Sequence, residues 1–125
     1  MTRRVVEGKR PSIAPLSPAV WAGDLLYLSG QIPMDPATGE LVAGDIAAQT
    51  NRAFDNIEVV LRDAGLSLDD VIKVNVYLTD MSNFSAMNAA YAARFKQPYP
   101  ARTTVGVKEL PRGAALEIEM VAKGP

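Results

Sequence analysis

A chain of 125 residues, 48% apolar and 22% charged, fits one compact domain and excludes both a disordered protein and a two-domain one. Net charge is −1 and the pI is near 5.4, so no excess of positive charge draws a nucleic-acid backbone from a distance. Cysteine and histidine are both absent, which removes disulfides, thiolate nucleophiles, cysteine zinc sites, the usual base of a Ser-His-Asp triad and the commonest transition-metal ligand. Catalysis, if any, runs on Arg, Lys, Asp, Glu, Tyr, Ser or Thr with backbone groups and water. A domain this small has little depth for a closed cavity, and a site shared between subunits would solve that problem.

Residues 1–22 hold Pro11, Ser12, Pro15, Ser17 and Pro18 and read as an extended arm and loop. Arg3, Arg4, Lys9 and Arg10 gather there, but Glu7 interrupts them and no aromatic interleaves, so a solvated terminus is expected. No segment has the length of a membrane span and residues 1–30 lack a signal-peptide core; a cytoplasmic protein without nucleic-acid or membrane partners is expected. Residues 24–30 form a short apolar strand, followed by Pro33 and the turn residues Asp35, Pro36 and Gly39.

From Asp45 the period becomes helical. Ile46, Thr50, Ala53, Phe54, Ile57, Leu61 and Ala64 share one stripe, with Asp45 suited to the N-cap and Gly65 to the left-handed stop. Val71 to Thr79 alternates as a strand, placing Ile72, Val74, Val76 and Leu78 on one face. A second helix carries Phe84, Met87, Tyr91 and Phe95 and ends before Pro98. Two strands near 102–108 and 115–122 follow, separated by a turn at Pro111, Arg112 and Gly113.

The order predicts an α+β domain whose two helices pack on one face of a sheet. Alternation then sends Leu116, Ile118 and Met120 to the helices with Val105 and Val107. The opposite face is expected to gather Lys73, Asn75, Tyr77, Thr79, Arg102, Thr104, Glu117 and Glu119. That face is either wet or meets its copies in an oligomer.

On that face Arg102 has the fork that captures a carboxylate bidentately, and Glu117 could hold water and accept a proton, its pKa raised in a dry cleft. A plain Arg–Glu cross-strand pair fits the same pattern. Glu117 and Glu119 lie roughly 7 Å apart along a strand, but so short a chain offers no groove in which paired carboxylates would flank a sugar. Gly30, between Ser29 and Gln31, either admits a ligand close to the backbone or ends the strand in a bulge. Asn88 reads as a structural hydrogen-bonding residue and Tyr91 as core. No phosphate loop occurs.

Taken together, several segments resemble the reactive intermediate deaminase family (Rid, or YjgF-type). They are Ser29-Gly30-Gln31-Ile32-Pro33, Asp35-Pro36-Ala37-Thr38-Gly39-Glu40, Gln49-Thr50, Asn56-Ile57, Asn88-Ala89-Ala90-Tyr91, Tyr99-Pro100-Ala101-Arg102-Thr103-Thr104-Val105 and Leu116-Glu117-Ile118-Glu119. The resemblance spans nearly the whole chain in order. It implies a chorismate-mutase-like fold with a mixed sheet of about six strands, a homotrimer, and sites between subunits.

It further implies hydrolysis of 2-aminoacrylate-derived 2-iminopropanoate, or a related 2-imino acid, to the 2-oxo acid and ammonia. Arg102 would clamp the carboxylate and Glu117 would position the attacking water. Ser29, Gly30, Ile32, Leu16, Thr104 and Asn88 would contact substrate. No cofactor or metal is implied, because a protonated imine carbon is already electrophilic. Two positions depart from the best-known pattern: Ala14-Pro15-Leu16 replaces Gly-Pro-Tyr, and Thr104 stands where Cys is frequent. Leu16 lacks the hydroxyl, which leaves open a bulkier substrate such as an aminomuconate-like enamine, or a trimer that binds small carboxylates without turnover.

Overall fold

The computed structural model describes residues 2–8 and 14–125; Lys9, Arg10, Pro11 and Ser12 of the early arm lie outside them. Six strands form one sheet: β1 (Arg4–Val6), β2 (Ala19–Ala22), β3 (Leu25–Leu28), β4 (Val71–Leu78), β5 (Ala101–Gly106) and β6 (Leu116–Lys123). Two helices accompany it, α1 (Ile46–Asp63) and α2 (Phe84–Ala92). The strand order is β1-β2-β3-β6-β4-β5, antiparallel throughout except for the parallel pair β4–β5. The α+β layering expected from the sequence pattern and the mixed sheet of about six strands implied by the resemblance are what form.

Helix α1 begins and ends as its residues dictate. The Asp45 carboxylate accepts from the Ala48 N–H at 2.9 Å, satisfying one free amide of the first turn. Gly65 follows the helix with φ of +78°, a conformation that costs a residue with a Cβ. The buried stripe is the expected one with Val60 added and Ala64, the C-cap, only partly buried, and Thr50 is tolerated at 0% exposure because its hydroxyl donates to the Ile46 carbonyl. Phe54 joins the helical layer, meeting Tyr91 and Phe95 edge-on at 5.7 and 5.6 Å between ring centroids.

Strand β6 is central although it comes last. Leu116, Ile118, Met120 and Ala122 are all buried on the helix side, together with Leu26, Leu28, Val74, Val76 and Leu78 of its neighbours. That continuous apolar face is what the two helices cover.

Three expectations need correction. Residues 1–22 are not wholly arm and loop, because β1 and β2 pair antiparallel within them. Strands of three and four residues are too short to show alternation, and their pairing comes from the sheet they join. Ile72 is 44% exposed instead of buried, because it is the extra residue of a β-bulge between Val71 and Lys73. The third correction governs the site: β5 and β6 are not neighbours. β4 lies between them, and β5 runs parallel to β4 at the sheet edge.

Candidate functional site

The parallel register sets Arg102 beside Val74 and Thr104 beside Val76, so both face the helices. Ala101, Thr103 and Val105 take the other side, where the Lys73 ammonium donates to the Thr103 hydroxyl at 2.9 Å. Val105 is accordingly 41% exposed. The expectation that Arg102 shares a face with Glu117 therefore fails. The two valines suggested a core face, but on an edge strand one of them can remain uncovered, and the strand stops at Gly106, before Val107.

Under α2, the Arg102 guanidinium carbon lies 4.7 Å from the Tyr91 ring centroid and 5.7 Å from that of Phe84. Among the described residues it has neither a hydrogen-bond acceptor nor a carboxylate partner. It borders a cleft of about 300 Å³ lined also by Asn88, Tyr91, Ala92, Tyr99 and Pro100. Two buried polar atoms of that lining, Asn88 Oδ1 and Tyr91 OH, have no partner among the described residues, and neither has Thr104 Oγ1 farther along the same face of β5. Buried polar atoms are nearly always satisfied, so two beside an unpaired cation indicate room for a polar ligand or water. Burial raises the Tyr91 pKa, against an opposing pull from Arg102, and the hydroxyl keeps its proton at neutral pH.

On the opposite face, Glu117 is paired in register with Tyr77 and packs against Gly30. A Cβ on Gly30 would sit 2.8 Å from Glu117 Oε2 and 2.9 Å from its Cδ, so glycine is what allows the carboxyl to lie there. Burial raises the Glu117 pKa, and the neighbouring Glu119 charge adds to the rise. Glu119 is itself held: the Tyr77 hydroxyl and the Asn75 amide both donate to its Oε1, the latter at 3.1 Å. That bond, with burial behind it, pushes the Tyr77 pKa up to about 12.

Backbone bonds fix the surroundings of Glu117. Gln31 and Ile118 exchange N–H···O bonds of 2.8 and 3.1 Å, stitching the strand-end loop to β6. The Ser29 hydroxyl donates to the Ser17 carbonyl at 2.6 Å and its N–H to Pro18 at 2.9 Å, which ties the Leu16 segment to this loop. From α1, the Asn56 amide donates to the Ile32 and Met34 carbonyls at 3.2 and 2.9 Å.

The family described as Endoribonuclease L-PSP matches residues 7–123. A RutC family protein of Pyrococcus horikoshii is 51% identical over 110 residues, covering 88% of this chain and 87% of its own. The chain belongs to the Rid/YjgF family. The human 2-iminobutanoate/2-iminopropanoate deaminase is 41% identical, covering 100% of this chain and 93% of its own length. The crystal structure of Escherichia coli TdcF with bound serine superposes with a TM-score of 0.90 at 35% identity, covering 98% of this chain and 99% of that one.

In this Rid-family chain the expected site residues divide into two groups. Arg102 and Asn88 line one cleft on the helix side of β5, with Tyr91 and Tyr99, and Thr104 faces the same side farther along the strand. Gly30 and Glu117 meet on the far side of β6, with Ser29 and Leu16 on the adjoining loop; Leu16 is 53% exposed. Ile32 follows on the same loop, its carbonyl held by Asn56. One chain does not bring the groups together. Sequence reasoning assigned Tyr91 to the core alone and passed over Tyr99 as a cleft residue and Phe84 as a neighbour of the Arg102 guanidinium. The available signal was the spacing of Phe84, Asn88 and Tyr91, which puts all three on one α2 face. Among the described residues no cluster of acidic side chains is suited to a metal ion, and no helix is long and apolar enough to cross a membrane.

Proposed function

We propose that this Rid-family chain is an imine deaminase, hydrolysing 2-iminopropanoate or a related 2-imino acid to the 2-oxo acid and ammonia. Each active site takes the Arg102 cleft from one copy and the Glu117 carboxyl from another, in a homotrimer. The observation that carries this reading is a guanidinium with no carboxylate partner among the described residues, in a cleft with two orphaned polar atoms and separated by the sheet from a carboxyl of raised pKa. Each half lacks what the other holds. Relatives named as deaminases add support.

Association has a surface available. The sheet face carrying Glu117 is uncovered by helices and exposes Val5, Tyr27, Ile72 and Val105 at 38%, 51%, 44% and 41%. Strand β5 is an open edge beside it.

The Arg102 fork binds the substrate carboxylate and leaves the imine carbon facing the neighbour's Glu117. Water forms a C–O bond there while Glu117 accepts its proton and the iminium C=N electrons move onto nitrogen. Glu117 returns the proton to that nitrogen; the C–N bond breaks with its electron pair leaving on nitrogen, the new hydroxyl gives its proton to the Glu117 carboxylate, which passes it to the departing ammonia, and the 2-oxo acid and ammonium leave. A carboxyl of raised pKa suits both transfers, and fixed orientation supplies much of the remaining acceleration. Leu16, exposed where the family's familiar pattern has a tyrosine hydroxyl, favours substrates with an apolar side chain over the smallest one. A ribonuclease reading has less to rest on, since the chain has no histidine and a net charge of −1.

The test is complementation. Arg102→Ala and Glu117→Gln should each abolish most ammonia release from enzymatically generated 2-iminopropanoate. Unfolded and refolded together in equal amounts, they should recover about a quarter of wild-type activity, because random mixing in a closed ring restores one site in four. No recovery from mixed oligomers that have formed would remove the shared site. Wild-type rates in Arg102→Ala would remove the anchor.

A further inference from the structure

We propose that Phe84 and Tyr91 are positioning residues for Arg102: their rings, presented by α2, lie against the guanidinium and leave its N–H groups free to receive a carboxylate. The proposal rests on the reading of Arg102 as carboxylate anchor and adds how that anchor is held.

A partly buried arginine is ordinarily fixed by acceptors. Arg94, just past the end of α2, illustrates this: it donates to Asp55 at 3.0 Å, to Glu58 at 2.9 Å and to Asn51 at 3.2 Å, and lies over the Phe54 ring at 5.2 Å. Its donors are committed, and its role is to bind α1 to the segment after α2. Arg102 is the inverse. It has two rings within 5.7 Å and no acceptor among the described residues.

Ring faces attract a guanidinium through their electron density without taking up its hydrogen-bond donors. The plane of the fork is thereby restricted while its donors stay available. The Tyr91 ring can serve as a fixed support: it is 4% exposed and wedged against Phe54 and Phe95, at 5.7 and 5.0 Å between centroids. Phe84 stands two turns earlier on the same helical face, with Asn88 between them. A side chain ordered before its ligand arrives loses less freedom on binding, and this is the advantage the rings supply.

Two readouts test the clamp. The first is the Nε–H resonance of Arg102 in the 15N-labelled protein, assigned by its loss in Arg102→Lys. Ring currents should displace it upfield of the exposed arginines in wild type and in Tyr91→Phe, and Phe84→Leu and Tyr91→Leu should each return it toward them. The second is pyruvate affinity by calorimetry, expected to weaken about three- to tenfold in Phe84→Leu and further in Tyr91→Leu than in Tyr91→Phe, which loses the hydroxyl but keeps the ring. Should Tyr91→Leu fail to fold, Phe84→Leu carries the test, since Phe84 is only partly buried.

A resonance or an affinity indifferent to loss of either ring overturns the proposal, as does a wild type that does not bind pyruvate. Shifts and affinities that respond as expected in a wild type unable to hydrolyse imines uphold the clamp and count against the proposed activity alone.

Discussion

Substituting Gly30 by alanine separates the position of Glu117 from the stability of the fold. The added Cβ would lie 2.8 Å from Oε2 and 3.0 Å from Cγ of Glu117, where ordinary van der Waals contact begins at 3.4 Å. The carboxyl oxygen must therefore retreat by about 0.6 Å. It can do so, because the obstructed atoms belong to the outer part of a flexible, partly exposed side chain. The folding cost should stay at or below the lower end of the ~1–3 kcal/mol usual for overpacking. Removing a glycine also restricts the unfolded chain, an offset of about 0.4–1 kcal/mol. The melting temperature should change by only a few degrees. Catalysis should change far more, since a misplacement of about 1 Å costs on the order of 10²-fold. A fall of roughly tenfold in kcat, about 1.4 kcal/mol of barrier, is expected, with pyruvate affinity at the Arg102 cleft retained. Ammonia release, thermal unfolding and calorimetry read the three quantities. Full activity in a folded Gly30→Ala protein would refute the idea that the seat of Glu117 on Gly30 sets its catalytic position.

Other outcomes follow from the same contacts. Glu117 must be ionised to accept a proton, so the rate should fall in acid through a pKa above the ordinary glutamate value, and Glu119→Gln should move that limb to lower pH; a limb unmoved in a folded variant contradicts the influence of Glu119. A raised carboxyl pKa means that the folded state binds the proton more tightly, so the stability it contributes is present at low pH and lost as pH rises through the raised value. Glu117→Gln should thus melt higher than wild type near neutrality and alike in acid; equal melting at both would show that burial does not strain this carboxylate. Asn56→Ala removes the donor to the Ile32 and Met34 carbonyls and should cost about 1–3 kcal/mol in denaturant unfolding. A change well below that would mean water replaces the amide without loss.

Local chemistry made much of the architecture legible. The Asp45 cap, the Gly65 stop and the α1 stripe follow from short-range rules, and each is present. The alternation of β6 likewise assigned Glu117 and Glu119 to the uncovered face. Residues 1–22 were less legible, because three- and four-residue strands have no period to read. Gly30 was marked as a place of close approach, yet the group that approaches is Glu117 of the same chain, which no local pattern indicates.

The sequence by itself determined which elements form, which chemistry the side chains can offer and, through motifs spread along its length, the family. Only the tertiary structure decided which side of the sheet Arg102 occupies. That choice depends on β5 joining β4 in parallel at the edge instead of pairing with β6. A shift of one residue in strand pairing exchanges the two faces, and nothing within residues 101–106 fixes it. It is settled by where α2 delivers the chain and by the aromatic rings that await a cation beneath the helix.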